Sequence, residues 1–529
     1  MNNILKTGAF ITPVVLLSAC GGGQQKAAVK PLNIIHIMTD DHSFQTISAY
    51  GHPISRLAPT PNIDRLASEG VLFRKAFVEN SLSTPSRACL MTGLYSHQNG
   101  QRQLGKGIDT TKVFFSELLH DAGYQTGVVG KWHMQCEPKG FDYYHVLWDQ
   151  GDYYNPAFKS PESNGKYIKE EGYATTLTTD HAIRFLENRE QEKPFCLLVH
   201  HKAPHRNWMP EPKYLDLYED VEFPFPETFY DDYSTRCEAA HNQEMRIDDD
   251  MTLIYDLKVS ELKNVEAYKN EPNSKGLFAS LDRMTEEQRK AWMAAYGPSN
   301  EKFIKQNLKG DDLLKWKYQR YLRDYLRCIK SIDDEVGRLI AYLEKEGLMD
   351  NTIIVYTSDQ GFYMGEHGWF DKRFMYEESF RTPLIIRHPN TSTDMKGTEC
   401  DLLVQNIDYA PTYLATANIE APKEMSGASL LPILNGNKPA NWRKYLYYHY
   451  YDFPAVHQVQ RHDGVRDDRY KLIHFYGEKG EVNCNELYDL QNDPNELQNL
   501  YGNTNHTETQ NRLQKQLDSF RTTLKVDEF

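Results

Sequence analysis

The sequence predicts an α/β protein with a large, mainly parallel sheet flanked by helices and a smaller C-terminal α+β subdomain. Three observations carry this. Short apolar runs at 33–38, 126–129, 195–199, 352–356 and 383–387 have the continuous hydrophobicity of parallel strands buried on both faces. Helical patterns lie between them. From about Trp442 the pattern changes to aromatic-rich runs of strand character followed by one helix.

Taken in order, the 33–38 run ends on Asp40-Asp41, and the 126–129 run leads into Gly130-Lys131-Trp132-His133. The 195–199 run is followed by Lys202-Ala203-Pro204-His205. Region 224–311 is charged, aromatic and weakly periodic, and reads as an insertion of short helices and loops. Its Asp248-Asp249-Asp250 run suggests calcium at first sight, but a charge run of this kind is a solvated face. Leu322, Tyr325, Ile329, Ile332, Val336, Leu339 and Leu343 then repeat at three-four spacing, a helix stopped by Gly347. The 352–356 run ends in Thr357-Ser358-Asp359-Gln360-Gly361. Runs at 445–451, 470–475 and 486–490 read as short antiparallel strands, and 508–523 as a helix. The expected division is 1–20 export signal, 21–31 tether, 32–435 large N-terminal domain and 436–529 C-terminal subdomain.

Composition narrows the function. The 529 residues carry a formal charge of −14 with no long basic block, which excludes a general nucleic-acid binder. An acidic protein that acts on an anion must gather its cations locally. Lys6, the apolar stretch 8–17 and Leu17-Ser18-Ala19-Cys20 resemble a bacterial lipobox. Cys20 would then be lipidated and anchor an exported, periplasm-facing protein; cleavage by the ordinary signal peptidase is the alternative. The other seven cysteines are scattered and odd in number, so neither a disulfide framework nor a zinc site is expected.

The chemistry concentrates in Ser83-Thr84-Pro85-Ser86-Arg87-Ala88-Cys89-Leu90-Met91-Thr92-Gly93. Pro85 suits the first position of a helix, whose N-terminus favours an anion, and Arg87 lies one turn beyond Ser83. Asp40, Asp41, Asp359 and Gln360 at two strand ends form an all-oxygen set suited to calcium. Lys131 and His133, two residues apart in extended chain, point the same way.

Together these segments resemble the type I sulfatases, whose Ser/Cys-x-Pro-Ser-Arg-x-x-x-x-Thr-Gly signature is filled at every fixed position. The resemblance runs in family order from Asn33 to about His388, and Tyr-Lys-Leu near Lys471 and Leu-Tyr-Asp-Leu near Leu487 extend it. It implies an alkaline phosphatase-like sulfatase fold. It also implies that Ser83 is converted to formylglycine (3-oxoalanine) by a serine-type formylglycine-generating enzyme. One Ca2+ would be held by Asp40, Asp41, Asp359, Gln360 and the modified Ser83. Gln360 departs from the commoner asparagine by one methylene.

The catalytic roles implied fall on Ser83, Arg87, Lys131, His133, His205 and Lys372. His205 with Lys372 would protonate the departing alcohol, and His133 would take a proton from the hydrated aldehyde. Asp371, Arg373, His457 and His462 are candidates for sugar binding. The substrate implied is a sulfated glycan, with exo-acting removal of 6-O-sulfate from N-acetylglucosamine or glucosamine in heparan sulfate or mucin-type glycans first. Two rivals stay open: a phosphoester or phosphonate ester hydrolase of the same fold, and a glycan-binding lipoprotein in which Ser83 is never converted.

Overall fold

The structure, a computed structural model, describes residues 31–105, 107–391, 393–479 and 481–527. The export signal, Cys20 and almost all of the tether lie outside the described residues. Among the described residues, no helix is long and apolar enough to cross a membrane.

Ten strands form one sheet. Asn33–Thr39 lies at its centre, paired in parallel with Phe195–His200 on one side and Thr352–Ser358 on the other. Gln125–Gly130 and Tyr143–Leu147 continue the parallel set beyond Phe195–His200. Alternate residues of the central strand feed two cores: Ile35 and Ile37 pack on one face, Ile34 and Met38 on the other. A sheet covered on both faces explains the unbroken apolar runs.

Leu384–Arg387 is antiparallel to Thr352–Ser358, which corrects the parallel strand expected at 383–387. The connection from Asp359 holds only the short helices Glu366–Gly368 and Glu377–Phe380. Neither spans the sheet, so the chain re-enters from the end at which it left.

The helix expected from Leu322 begins earlier and covers Gly310–Lys345. Its apolar stripe packs against Ala174–Asn188 and Pro61–Glu69. The inserted region contains Glu238–Asn242, Ser274–Asp282 and a longer helix, Glu286–Gln306, than the sequence suggested. Thr285 caps that helix by accepting the Gln288 N–H at 3.2 Å. Asp248 and Asp249 are exposed, as a solvated run should be.

The C-terminal sheet is antiparallel, in the order Leu446–Tyr450, His462–Arg466, Tyr470–Phe475, Cys484–Asp489. One face holds Tyr448, Tyr450, Ile473, Phe475 and Tyr488 against Phe374, Tyr376 and Phe380 of the large domain. The other holds Tyr447, Val465, Leu472 and Leu487 against Leu513 and Leu517 of the Thr507–Leu524 helix. Cys237 and Cys484 form a disulfide between the insertion and the last strand. That overturns the expectation of no disulfide. The partners are 247 residues apart, and only the docking of the insertion on this sheet brings them together.

Candidate functional site

Four adjacent parallel strands end at one place, and each delivers polar groups there. Asp40 and Asp41 follow Thr39; Lys131 and His133 follow Gly130; Lys202 and His205 follow His200; Asp359 and Gln360 follow Ser358. The carboxyl ends of parallel strands are where such sheets place ligands. Gly130 has φ +88°, and a Cβ there would collide with the His200 carbonyl, so glycine is required for Lys131 to turn inward.

The Ser83–Thr92 helix meets this edge with its N-terminus and closes on Gly93 at φ 65°. Pro85 occupies the third helical position rather than the first, still within the turn whose N–H groups have no helical acceptor. Ser83 is 2% exposed, and its Oγ donates to Asp40 Oδ1 at 2.9 Å. Arg87 Nε and Nη2 donate to Asp359 Oδ2 at 3.1 and 3.0 Å, while Nη1 donates to the Lys131 carbonyl at 2.7 Å. Lys131 is paired with Asp40, and Lys372 Nζ lies 2.6 and 2.7 Å from the two oxygens of Asp41. Ser86 and Asn406 brace the helix from behind, through Ser86 Oγ, which accepts from Asn406 at 3.0 Å.

Burial opposes charge on all these carboxylates, and their neighbours decide the outcome. Asp40 is held well below the usual range despite burial, because Lys131, His205, Arg87 and Lys372 surround it. Asp41 is pushed up to about 7 by burial and by Asp40, Asp359 and Asp371, against Lys372. Asp359 is pushed up to about 6 by burial and Asp40. The positive side is tuned too. Burial lowers Lys131, whereas Asp41, Asp371 and Asp40 overcome burial at Lys372 and raise it.

The donor set fits a hard divalent cation. Asp40, Asp41 and His205 present ligand atoms within 4.8 Å of one another, and Asp359 closes the same space. Gln360 faces Asp41 and Ser83 with its amide nitrogen, leaving Oε1 buried without a hydrogen-bond partner. The two ends of an amide exchange by a half-turn, which turns that orphaned oxygen toward the carboxylates. Oxygen-rich donors with excess negative charge suit calcium or magnesium.

Two histidines flank Ser83. His133 shares Nδ1 with Thr84 Oγ1 at 3.1 Å, and its Nε2 lies 3.3 Å from Asp149 Oδ1. Asp149 thus orients the ring as the Nε2–H tautomer, leaving Nδ1 as an acceptor that the Thr84 hydroxyl occupies. His205 Nδ1 donates to the Arg206 carbonyl at 2.7 Å and presents Nε2 toward Asp41 Oδ2 at 3.8 Å. Burial lowers both rings, His205 well below the ordinary range.

Beside this centre, Asp371 binds three groups. Its Oδ1 accepts from Arg373 Nε at 3.1 Å and from the Lys372 N–H at 2.9 Å, and its Oδ2 lies 3.3 Å from His457 Nε2. Arg373 Nη1 is buried without a hydrogen-bond partner. Asp41, His133, Asp371, Arg373 and His457 all have φ between 52° and 101°. Strain of this kind collects where side chains must be aimed.

His462 is not part of this group. It lies in the middle of the C-terminal subdomain, stacked on Tyr448 and Tyr450, with Nε2 accepting the Met375 N–H at 3.1 Å. The sequence makes His462 a sugar-binding candidate beside His457, but the strand His462–Arg466 takes it into the core.

Several participants were not assigned from the sequence. Lys202 is 5% exposed, lies 4.7 Å from the Tyr153 ring centre and is lowered to about 8 by burial and Lys131. Its place two residues beyond a strand end was the available signal. Asp149 and Arg206 carry no such signal. Arg206 binds Asp256 at 2.6 and 2.8 Å and touches His457 Nε2 at 3.3 Å.

Comparison with known proteins matches residues 32–419 to the family described as Sulfatase. Residues 365–523 match N-sulphoglucosamine sulphohydrolase, C-terminal. An N-acetylglucosamine-6-O-sulfatase of Bacteroides thetaiotaomicron is 46% identical over 507 residues, 95% of this chain and 88% of that protein. Human N-acetylglucosamine-6-sulfatase is 26% identical over 465 residues, 82% of this chain and 70% of that protein. A solved structure of a protein in complex with its substrate D-glucosamine-2-N,6-O-disulfate superposes with a TM-score of 0.88 at 46% identity. It covers 94% of this chain and 99% of that one.

Proposed function

The chain belongs to the sulfatase family and is a sulfuric ester hydrolase, and we propose that it removes 6-O-sulfate from N-acetylglucosamine or glucosamine at the end of a glycan. The observation that carries the chemistry is Ser83, seated at a helix start on Asp40 and enclosed by Arg87, Lys131 and Lys372. The 6-O assignment draws support from the printed activity of the 46%-identical relative and the 6-O-sulfated ligand of the solved neighbour.

The family uses formylglycine and a divalent metal; formed at Ser83 and held beside it, these would supply the nucleophilic oxygen and polarise the sulfate. We assign the metal to Asp40, Asp41, Asp359 and Gln360, with Ca2+ as the ion. The remaining work belongs to the chain. Lys131 and Lys372 hold the sulfate oxygens as charge develops. His205 Nε2, with Lys372 beside it, delivers the proton to the departing sugar oxygen. Burial lowers His205 while Asp40 raises it, and an arriving sulfate, being an anion, would act in the same sense as Asp40, toward the protonated form this step needs. His133 Nδ1, backed by Asp149, accepts the proton that lets the nucleophile be regenerated. Asp371, Arg373 and His457 would bind sugar hydroxyls beside the scissile bond. Export as a lipoprotein anchored through Cys20 and facing the periplasm completes the proposal.

The test is sulfate release from 6-O-sulfated N-acetylglucosamine by protein co-produced with a serine-type formylglycine-generating enzyme. Release that disappears in Ser83→Ala supports both nucleophile and linkage. No release, with the Ser83 peptide shown by mass to have lost two hydrogens, rejects the 6-O assignment in favour of another sulfated position. Phosphate or phosphonate ester turnover exceeding sulfate turnover would reject the sulfate reading.

A further inference from the structure

Away from the catalytic centre, three described elements bring metal-ligating side chains to one spot. His145 stands on the strand Tyr143–Leu147, His181 on the helix Ala174–Asn188, and Glu170 just beyond the edge strand Ile168–Lys169. Glu170 Oε1 lies 2.7 Å from His145 Nε2, and Oε2 lies 2.9 Å from His181 Nε2. All three donors fall within 4.8 Å of one another. Tetrahedral zinc with ligand bonds of 2.0–2.1 Å sets its donors about 3.3 Å apart, a spacing the three atoms reach once the rings reorient.

The surroundings are those of a binding site. The two imidazoles stack with centroids 3.5 Å apart and planes at 23°, so their in-plane lone pairs run side by side and one ring must swing out of the stack for both to reach one ion. Phe158 packs against both, at 5.2 and 5.0 Å, as an apolar wall. His181 is 1% exposed, and its Nδ1 has no hydrogen-bond partner, so its single hydrogen bond is to Glu170. The Glu170 side chain is 29% exposed, which leaves an entry path and a coordination position on the solvent side.

We propose that His145, Glu170 and His181 bind one divalent transition-metal cation of the zinc class. Two imidazoles and one carboxylate are a borderline donor set, unlike the oxygen-rich set at Asp40 and Asp41, so the two places select different cations by ligand type. The bound ion would pin the outermost strand of the sheet to the helix that covers it.

Isothermal titration of the full-length protein with Zn2+ in excess Ca2+, paired with the visible spectrum of its Co2+ form, tests this. The wild type is expected to take up one equivalent of Zn2+ and to show the absorption of nitrogen-ligated Co2+. His181→Ala and Glu170→Gln should weaken uptake at least about tenfold, while sulfate release in Ca2+ stays at the wild-type rate. Glu170 is partly exposed, so Glu170→Gln keeps the fold if His181→Ala does not. Absence of Zn2+ uptake by the wild type, or equal uptake by the Glu170→Gln protein, overturns the assignment.

Discussion

Replacing Arg87 by lysine separates charge from geometry at the centre of the site. The guanidinium makes three hydrogen bonds on two opposite edges: two to Asp359 Oδ2 at 3.1 and 3.0 Å, and one to the Lys131 carbonyl at 2.7 Å. Both side chains of the ion pair are 1% exposed or less, so solvent does not take over. Lysine keeps the charge but ends in one nitrogen, which reaches one of the two acceptors. Losing two charge-assisted bonds at about 1.5 kcal/mol each costs about 3 kcal/mol. With an unfolding entropy of about 2.1 cal/mol/K per residue, a folded region of roughly 500 residues melts about 3 °C lower. The kinetic effect should be larger. Arg87 ties the Asp359 strand end to the Lys131 strand end, and loosening that tie would misplace one proposed metal ligand and one proposed sulfate-holding cation. A loss of about 10²–10³ in sulfate release follows if the loosening costs as much as one positioned charge stabiliser. Thermal melts and sulfate release on the same preparation decide it. Melting within 1 °C of wild type (roughly 1 kcal/mol) together with near-normal turnover would refute the bridging role.

Three further outcomes are expected. Asp371→Asn keeps the shape but loses the charge that faces Arg373 and His457; kcat/KM should fall about 10–100-fold and melting by about 3 °C on the same reckoning, and an unchanged KM and kcat would remove Asp371 from substrate binding. Chelation should abolish sulfate release, and Ca2+ should restore it better than Zn2+; the reverse order would contradict the oxygen-donor assignment. Burial pushes His36 and His201 down to about 3, from 6.5 when unfolded. Their folded pKa is depressed, so their stabilisation is complete above pH 6.5 and is lost as pH falls toward 3. At pH 5 each costs about 2 kcal/mol relative to pH 7, so His36→Phe should narrow the acid-induced fall in melting temperature; an identical fall would contradict this.

Much of the site was legible because its signals are local. Asp40-Asp41, Lys131 and Asp359-Gln360 each stand at the end of an apolar run, where a strand must stop and a buried charge needs a reason. The sheet makes those strands neighbours, so residues that look independent in sequence meet in space. Gln360, one methylene longer than the commoner family residue, still reaches Asp41 and Ser83. What stayed illegible was set by contacts between distant segments. Cys237 and Cys484 pair only after the insertion docks on the C-terminal sheet. Leu384–Arg387 reads as any buried strand, because direction leaves no mark in an apolar run of four residues.

The segment around His457 and His462 shows the same limit most sharply. Both histidines sit among polar neighbours, and a polar run reads as a loop. In the structure His457 is turned toward Asp371 by a φ of 71°, while His462, five residues on, has entered a strand. Strand alternation then fixes its fate: His462 and Gly464 face the large domain, and His462 fills an aromatic pocket formed with Phe374, Tyr448 and Phe475. His462 spends both ring nitrogens on backbone, the Met375 N–H and the Gln460 carbonyl, inside that aromatic cluster, whereas His457 spends its Nε2 on Asp371 and Arg206 beside the catalytic centre. His462→Ala should therefore act on folding, through a cavity in a packed aromatic cluster. His457→Ala should act on KM. Equal effects of the two on KM at unchanged stability would show that the strand had been placed wrongly.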